Sequence, residues 1–420
     1  MKYSKKYSRT SSRRSKKYSG RTSISSHNSS NTSNTSIAIN ISNRLKQSPK
    51  LQNNENISVL EELFKCATYA EIKNILTKFY SNSIVDDERI TTLKTALVSL
   101  DKKGKSGGII GYKPENPDAI IKYFTRSLYV DEIFEIADCL KISNTFNEIF
   151  INFLITNISK IIELSAFQTK KIKQHTMPLL DYGISPSKGS FISIPLIGLN
   201  KLGQSRITNL RELLELNHIK IIPTLNVSLL VKYDKWMSKQ IKSYFYAIKL
   251  LQKHLHYVNT DVKLTNVFIR ENKQKHQPLE TTGIITNFDL ILSDLEKSTI
   301  IINGLKITTS PRSPLKIKLA YLIGKGLIYD IRYNCGDKLN TCRKINTLDI
   351  DLITFIIDYY AFMIRMDSLF ITRMPHIYNT FAKFIGPNIL DKIKLVLEAG
   401  KYNIDKNYSY IIGNILQEIC

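Results

Sequence analysis

Trp236, Ile241, Tyr244, Ile248, Leu251 and Leu255 mark one face of a long amphipathic helix. Directly after it the chain reads Asn259-Thr260-Asp261-Val262-Lys263-Leu264-Thr265-Asn266, and then the short apolar run Val267-Phe268-Ile269. Helix, polar loop and strand in immediate succession put three chemically distinct side chains on one loop. Asp261 can accept or orient a hydroxyl proton, Lys263 can neutralise a phosphate, and the Asn266 side-chain oxygen can hold a divalent cation. That combination suits phosphoryl transfer.

The 420 residues, 43 % of them apolar, suffice for a large buried core and by length predict two or three domains. The five cysteines (Cys66, Cys139, Cys335, Cys342, Cys420) are scattered and contain no CxxC pair, against a disulfide framework or a thiolate zinc site. No run approaches 18 uninterrupted apolar residues, so no transmembrane segment is expected. The charged N-terminus lacks the apolar core of a signal peptide. A soluble protein in a reducing, intracellular compartment is expected. The net charge of +24 is concentrated: the first fifty residues hold twelve Lys and Arg without one Asp or Glu, among Ser, Thr and Asn. Residues 1–57 are too polar to offset chain entropy and read as a disordered basic tail, able to attract nucleic acid or an anionic membrane.

From Ser58 the pattern changes. Ser58-Val59-Leu60-Glu61 is a capping box, and Leu60, Leu63, Phe64 and Ala67 follow at helical spacing. A second apolar run, from Ile90 to Leu100, completes a helical extension over 58–102. Gly104, Gly107, Gly108 and Gly111 then form a glycine-rich turn ahead of the strand-like run Ala119-Ile120-Ile121-Lys122-Tyr123-Phe124. A strongly apolar helix over 145–166, a strand over 191–196, and helices over 352–366 and 389–397 complete the coarse reading.

In order along the chain these segments resemble the protein-kinase family, whose catalytic loop is H-R-D-L-K-x-x-N. Asp261, Lys263 and Asn266 match in register; Asn259 and Thr260 stand where the His and Arg belong. Ala119-Ile120-Ile121-Lys122 parallels the V-A-I-K strand. Among kinases, the likeness is to the divergent Ser/Thr virion kinases of large DNA viruses, of the poxvirus virion-assembly type. Shared features are a Ser-Gly-Gly start to the glycine loop, a strand ending Lys-Tyr-Phe, and Phe191, Pro195 and Leu196 before the hinge. The resemblance covers residues 104–370.

The resemblance implies a bilobal α+β protein-kinase-like fold, with the N-lobe over 103–198, a hinge near Gly198–Gly203, and a helical C-lobe over 199–420. It implies ATP with Mg²⁺, or Mn²⁺ in its place, between the lobes, and transfer to Ser/Thr hydroxyls of protein substrates, with Lys263 favouring those acceptors over Tyr. Gly107, Gly108 and Gly111 would cover the phosphates, and Lys122 would hold them with Glu148 behind it; Glu132 and Glu135 compete for that place. Asp261 and Lys263 would be catalytic, and Asn266 and Asp294 would bind metal. Glu296 replaces the Gly of D-F-G, and Asn287-Phe288-Asp289 is the competing register. Asp351, in preference to Asp349, would brace the loop backbone. The host cytoplasm and the virion are the implied locations. A pseudokinase, or a basic nucleic-acid-binding scaffold without turnover, is the alternative.

Overall fold

The computed structural model describes residues 49–99, 109–126, 128–129, 131, 133–136, 139–201, 204–217, 225–272, 286–309, 318, 322, 328–329, 345–346, 349–366, 369–400 and 408–419. It is a mixed α and β structure. Three helices come first, α1 (Pro49–Leu63), α2 (Tyr69–Asn82) and α3 (Asp87–Ala96). A capping box starts α2: Thr68 Oγ1 accepts from the Glu71 N–H and the Glu71 carboxylate accepts from the Thr68 N–H. Strands β1 (Val98–Ser99), β2 (Ile109–Lys113), β3 (Asn116–Phe124), β4 (Phe134–Ile136) and β5 (Cys139–Ile142) lead to α4 (Asn144–Ile161), which Ser143 caps. Then come α5 (Ala166–His175), β6 (Asp181–Ser185) and β7 (Gly189–Pro195). An antiparallel five-stranded sheet has the order β1-β2-β3-β7-β6.

The chain continues through β8 (Leu199–Lys201), β9 (Gln204–Ile207), α6 (Leu210–Leu216) and the long α7 (Val227–Leu255), which ends at His256 in a left-handed cap (φ 44°). The hairpin of β10 (Val267–Glu271) and β11 (Phe288–Leu292) follows, then a single 3₁₀ turn (Leu295–Lys297) and the hairpin of β12 (Ile300–Ile302) and β13 (Leu305–Thr309). Helices α8 (Ile350–Met366), α9 (Phe370–Arg373), α10 (Pro375–Ile385), α11 (Pro387–Glu398) and α12 (Tyr408–Ile419) complete the order. Their core is aromatic: the Phe245 ring on α7 meets Phe355 on α8 and Phe381 and Phe384 on α10 at 5.1–6.2 Å. Asp234 of α7 accepts from the His376 and Ile377 N–H groups, satisfying the open N-terminus of α10.

Several sequence expectations change. Residues 49–57 are helical rather than tail, and the last two are buried: Asn56 is fully buried, donating to Ser83 Oγ and the Tyr182 hydroxyl, and Ile57 belongs to the core. Local polarity hid this, because the groups that the Asn56 amide nitrogen donates to lie 27 and 126 residues away. Residues 1–48 of the expected tail lie outside the described residues. The run from Ile90 divides at Leu97, where the backbone turns extended and β1 joins the sheet. Across the boundary expected at residue 198, β13 pairs in parallel with β5, Lys306 beside Cys139, in a sheet of order β12-β13-β5-β4. The segment expected as a hinge contributes β8 to the β8–β9 hairpin, and the Gly198 N–H donates to the Ile269 carbonyl.

Around α4 every residue from Phe146 to Ile155 is buried, as expected for a helix apolar on all sides. Phe146, Phe150 and Phe153 surround the Phe79 ring of α2 at 6.1, 5.8 and 5.3 Å. Thus the leading helices form one wall of the environment of α4.

Candidate functional site

Lys122 lies in the middle of the five-stranded sheet, with Ile110 of β2 on one side and Ile192 of β7 on the other. Its Nζ lies 2.7 and 2.9 Å from the two oxygens of Glu148, one turn into α4. Of the three glutamates expected to compete for this place, Glu148 holds it. Glu135 is exposed on β4 opposite Leu140, and Glu132 lies outside the described residues. The pair is desolvated, with Glu148 side chain only 5 % exposed. Burial pushes the Glu148 carboxyl up to about 7 against the pull of Lys122, with Asp294 and Glu296 adding to the rise. Burial also pulls Lys122 down, but Glu148, Asp294 and Glu296 override it and hold the ammonium above its ordinary value.

The loop after α7 is held from below by α8. Asp351 accepts from the Asn259 N–H (2.7 Å) and the Thr260 N–H (2.8 Å), and Asp358, two turns on, accepts from the Leu264 N–H (2.8 Å). Thr260 takes a left-handed conformation (φ 64°), which sharpens the turn into Asp261. Asp351 is fully buried, and its carboxyl is pushed up to about 6 by desolvation, against the two N–H donors that favour its charged form. Asp349 instead pairs with Lys249. The expected bracing residue is therefore Asp351.

Asn266 completes the loop. Its Nδ2 donates to the Asp261 carbonyl (3.0 Å) and to Asp294 Oδ2 (3.1 Å). Asp294 follows β11 in a left-handed conformation (φ 57°) and lies 4.0 Å from Lys122 Nζ, so it sits between the sheet lysine and the loop asparagine. The competing register points elsewhere: Asn287 donates to Glu271, while Asp289 accepts from Gln174 and Asn272. Carboxylate oxygens of Glu148, Asp294 and Glu296 lie within 4.8 Å of one another. Burial, then the neighbouring Asp294 charge, raises the Glu296 carboxyl above its usual range. The three acids crowd together between Lys122 and Lys297. Asp294 and Asn266 together offer the hard oxygen donors that Mg²⁺ prefers.

Two participants escaped the sequence reading. Asn147 donates through Nδ2 to the carbonyls of Ser298 (2.9 Å), Glu296 (3.1 Å) and Leu295 (3.3 Å), which ties α4 to the turn after Asp294. Lys297 Nζ reaches Asp261 Oδ2 at 2.5 Å, while Lys263 Nζ lies 3.4 Å from Asp261 Oδ1. Nothing local distinguishes either from an ordinary polar residue. The expected glycine loop fares differently, for Gly107 and Gly108 lie outside the described residues and Gly111 is within β2. A Cβ at Gly111 would meet the Val98 carbonyl oxygen at 2.7 Å, so close approach of β1 accounts for the glycine there.

No protein-family model matches the chain, and no curated protein matches it in sequence. Among the described residues no helix is long and apolar enough to cross a membrane.

Proposed function

We propose that the chain is an ATP-dependent protein kinase that transfers the γ-phosphate to Ser/Thr hydroxyls, built on a bilobal kinase-like fold. The observation that carries this reading is convergence: Lys122 with Glu148, and Asp261, Lys263, Asn266 and Asp294, come from four separated segments and are joined by a continuous chain of contacts no longer than 4.0 Å. Such groups, dispersed in sequence and assembled by the fold, are those that phosphoryl transfer needs.

In this reading Lys122, oriented by Glu148, holds nucleotide phosphate oxygens. Asp294 and Asn266 would hold Mg²⁺, whose charge would offset that of the phosphates. Asp261 receives the acceptor hydroxyl's hydrogen bond and orients its oxygen towards the phosphorus. Lys263 offsets phosphate charge, and Asp351 and Asp358 hold the loop so that Asp261 does not have to be positioned anew in each turnover.

The test is phosphate transfer from Mg²⁺-ATP to Ser/Thr-containing protein substrates by the purified chain, beside Asp261→Ala and Asp294→Ala. Asp261→Ala should lose several orders of magnitude in turnover and keep nucleotide binding; Asp294→Ala should weaken Mg²⁺-ATP binding as well. A wild-type chain that neither binds Mg²⁺-ATP nor transfers phosphate overturns the reading.

A further inference from the structure

The turn after Asp294 adds a cation to this site. Left-handed Asp294 starts a single 3₁₀ turn over Leu295–Lys297 that folds the chain back, with the Ser298 N–H closing it onto the Leu295 carbonyl. Leu295 is buried, and Asn147 of α4 grips the carbonyls of Leu295, Glu296 and Ser298, so the backbone carrying Lys297 is fixed at both ends. From it the Lys297 side chain, three-quarters buried, extends to Asp261 Oδ2. With Lys263 beside Oδ1, each oxygen of the carboxylate faces an ammonium.

An ion pair of this kind has two uses that can be separated. As a strut it would merely fill space between the loop and the turn. As part of the reaction it would set the direction of the Asp261 carboxylate and present positive charge where the transferred group passes between Asp261 and Asp294. The second use has the better support. A strut can be made from apolar side chains without the desolvation cost of burying an ammonium. Besides, the ammonium stands among Asp261, Asp294 and Glu296: burial alone would pull it down, but these acids hold it above its ordinary value, and so charged at neutral pH.

We propose that Lys297 is a further cation of the phosphoryl-transfer site, the second on Asp261, which orients that carboxylate before the reaction and shares with Lys263 the charge of the phosphoryl group during it. This rests on the kinase reading above. In the step itself the acceptor oxygen forms a bond to the γ-phosphorus as the bond to the β,γ-bridging oxygen breaks. The electron pair leaves with ADP, the hydroxyl proton passes to Asp261, and Lys297 keeps its protons throughout.

The experiment compares the full chain with Lys297→Met and Lys297→Arg, measuring kcat and KM for transfer, binding of Mg²⁺-ADP by calorimetry, and thermal midpoints. Lys297→Met should lower kcat about 10²-fold, the usual scale for losing one preorganised electrostatic contact to a transition state. Mg²⁺-ADP affinity should change less than about threefold, and Lys297→Arg should recover most of the rate, because the guanidinium preserves charge and reach. Undiminished kcat in Lys297→Met with an active wild type would overturn this proposal alone. Equal losses of kcat, Mg²⁺-ADP affinity and thermal midpoint would likewise reduce Lys297 to a strut. An inert wild type would overturn the kinase reading and this proposal together.

Discussion

Replacing Phe79 by alanine probes how far the leading helices control the site. The ring is fully buried in α2, facing Phe146, Phe150 and Phe153 of α4 and stacked on Tyr182 of β6 at 6.2 Å. With rings on several sides, the neighbours cannot collapse far into the vacated space, so the cost should be at least the middle of the usual range for Phe→Ala, about 4 kcal/mol. For the compact unit from Gln47 to Cys420, an unfolding entropy of about 0.8 kcal/mol/K converts that to a drop of roughly 5 °C in thermal midpoint. The loss should be local before it is global. Hydrogen exchange should quicken first in α4, which carries Asn147 and Glu148, while α7 keeps its protection. Transfer should fall along with the Lys122–Glu148 pairing, and Phe79→Leu should give a milder version of each effect. A midpoint drop below about 1 °C, or exchange quickening in α7 with α4 unchanged, would refute the claim that α2 holds α4 in place.

Three further outcomes follow from the structure. Removing residues 1–46 should leave thermal midpoint and transfer unchanged but reduce low-salt binding to nucleic acid or anionic vesicles, whereas removing 1–57 should destabilise the chain, since Asn56 and Ile57 go with it; equal midpoints for the two truncations would contradict the packing. Asp351→Asn should cost about 1–3 kcal/mol by disrupting acceptance from the Asn259 and Thr260 N–H groups, and should lower kcat more than Mg²⁺-ATP affinity; steady-state kinetics and calorimetry check it. Transfer should rise with pH between 5.5 and 7.5 as Asp351 and Glu148, raised to about 6 and about 7, ionise and take up the contacts described. Their linkage to folding has the opposite sign: raised pKa values mean protons bound more tightly when folded, a contribution complete below the ordinary values of 3.8 and 4.5 and lost as pH rises through 6 to 7. A flat rate profile over that range, in a chain that remains folded, would count against both assignments.

Much of the scaffold and part of the site were legible in the linear chain, because those features depend on neighbours in sequence. Apolar periodicity marks α4, α7 and α8, and the Ala119–Phe124 run lies within β3. Asp261, Lys263 and Asn266 share one short loop, so their spacing alone brings them together. Choices between distant segments were open until the chain was folded. Glu148 rather than Glu135 meets Lys122 because Glu148 reaches it from the buried α4, while Glu135 is exposed on β4, which belongs to the other sheet. Asp294 rather than Asp289 faces Asn266 because Asp289 is spent on Gln174 and Asn272 within the β11 region. Lys297 and Asn147 acquire roles only through a left-handed residue and a single turn, for which the sequence carries no periodic signal. The physical reason is one of range. Helix and strand patterns arise from contacts a few residues apart, whereas Asn56 finds Tyr182 and Asp351 finds Asn259 across 126 and 92 residues, and those pairings exist only once the core has closed.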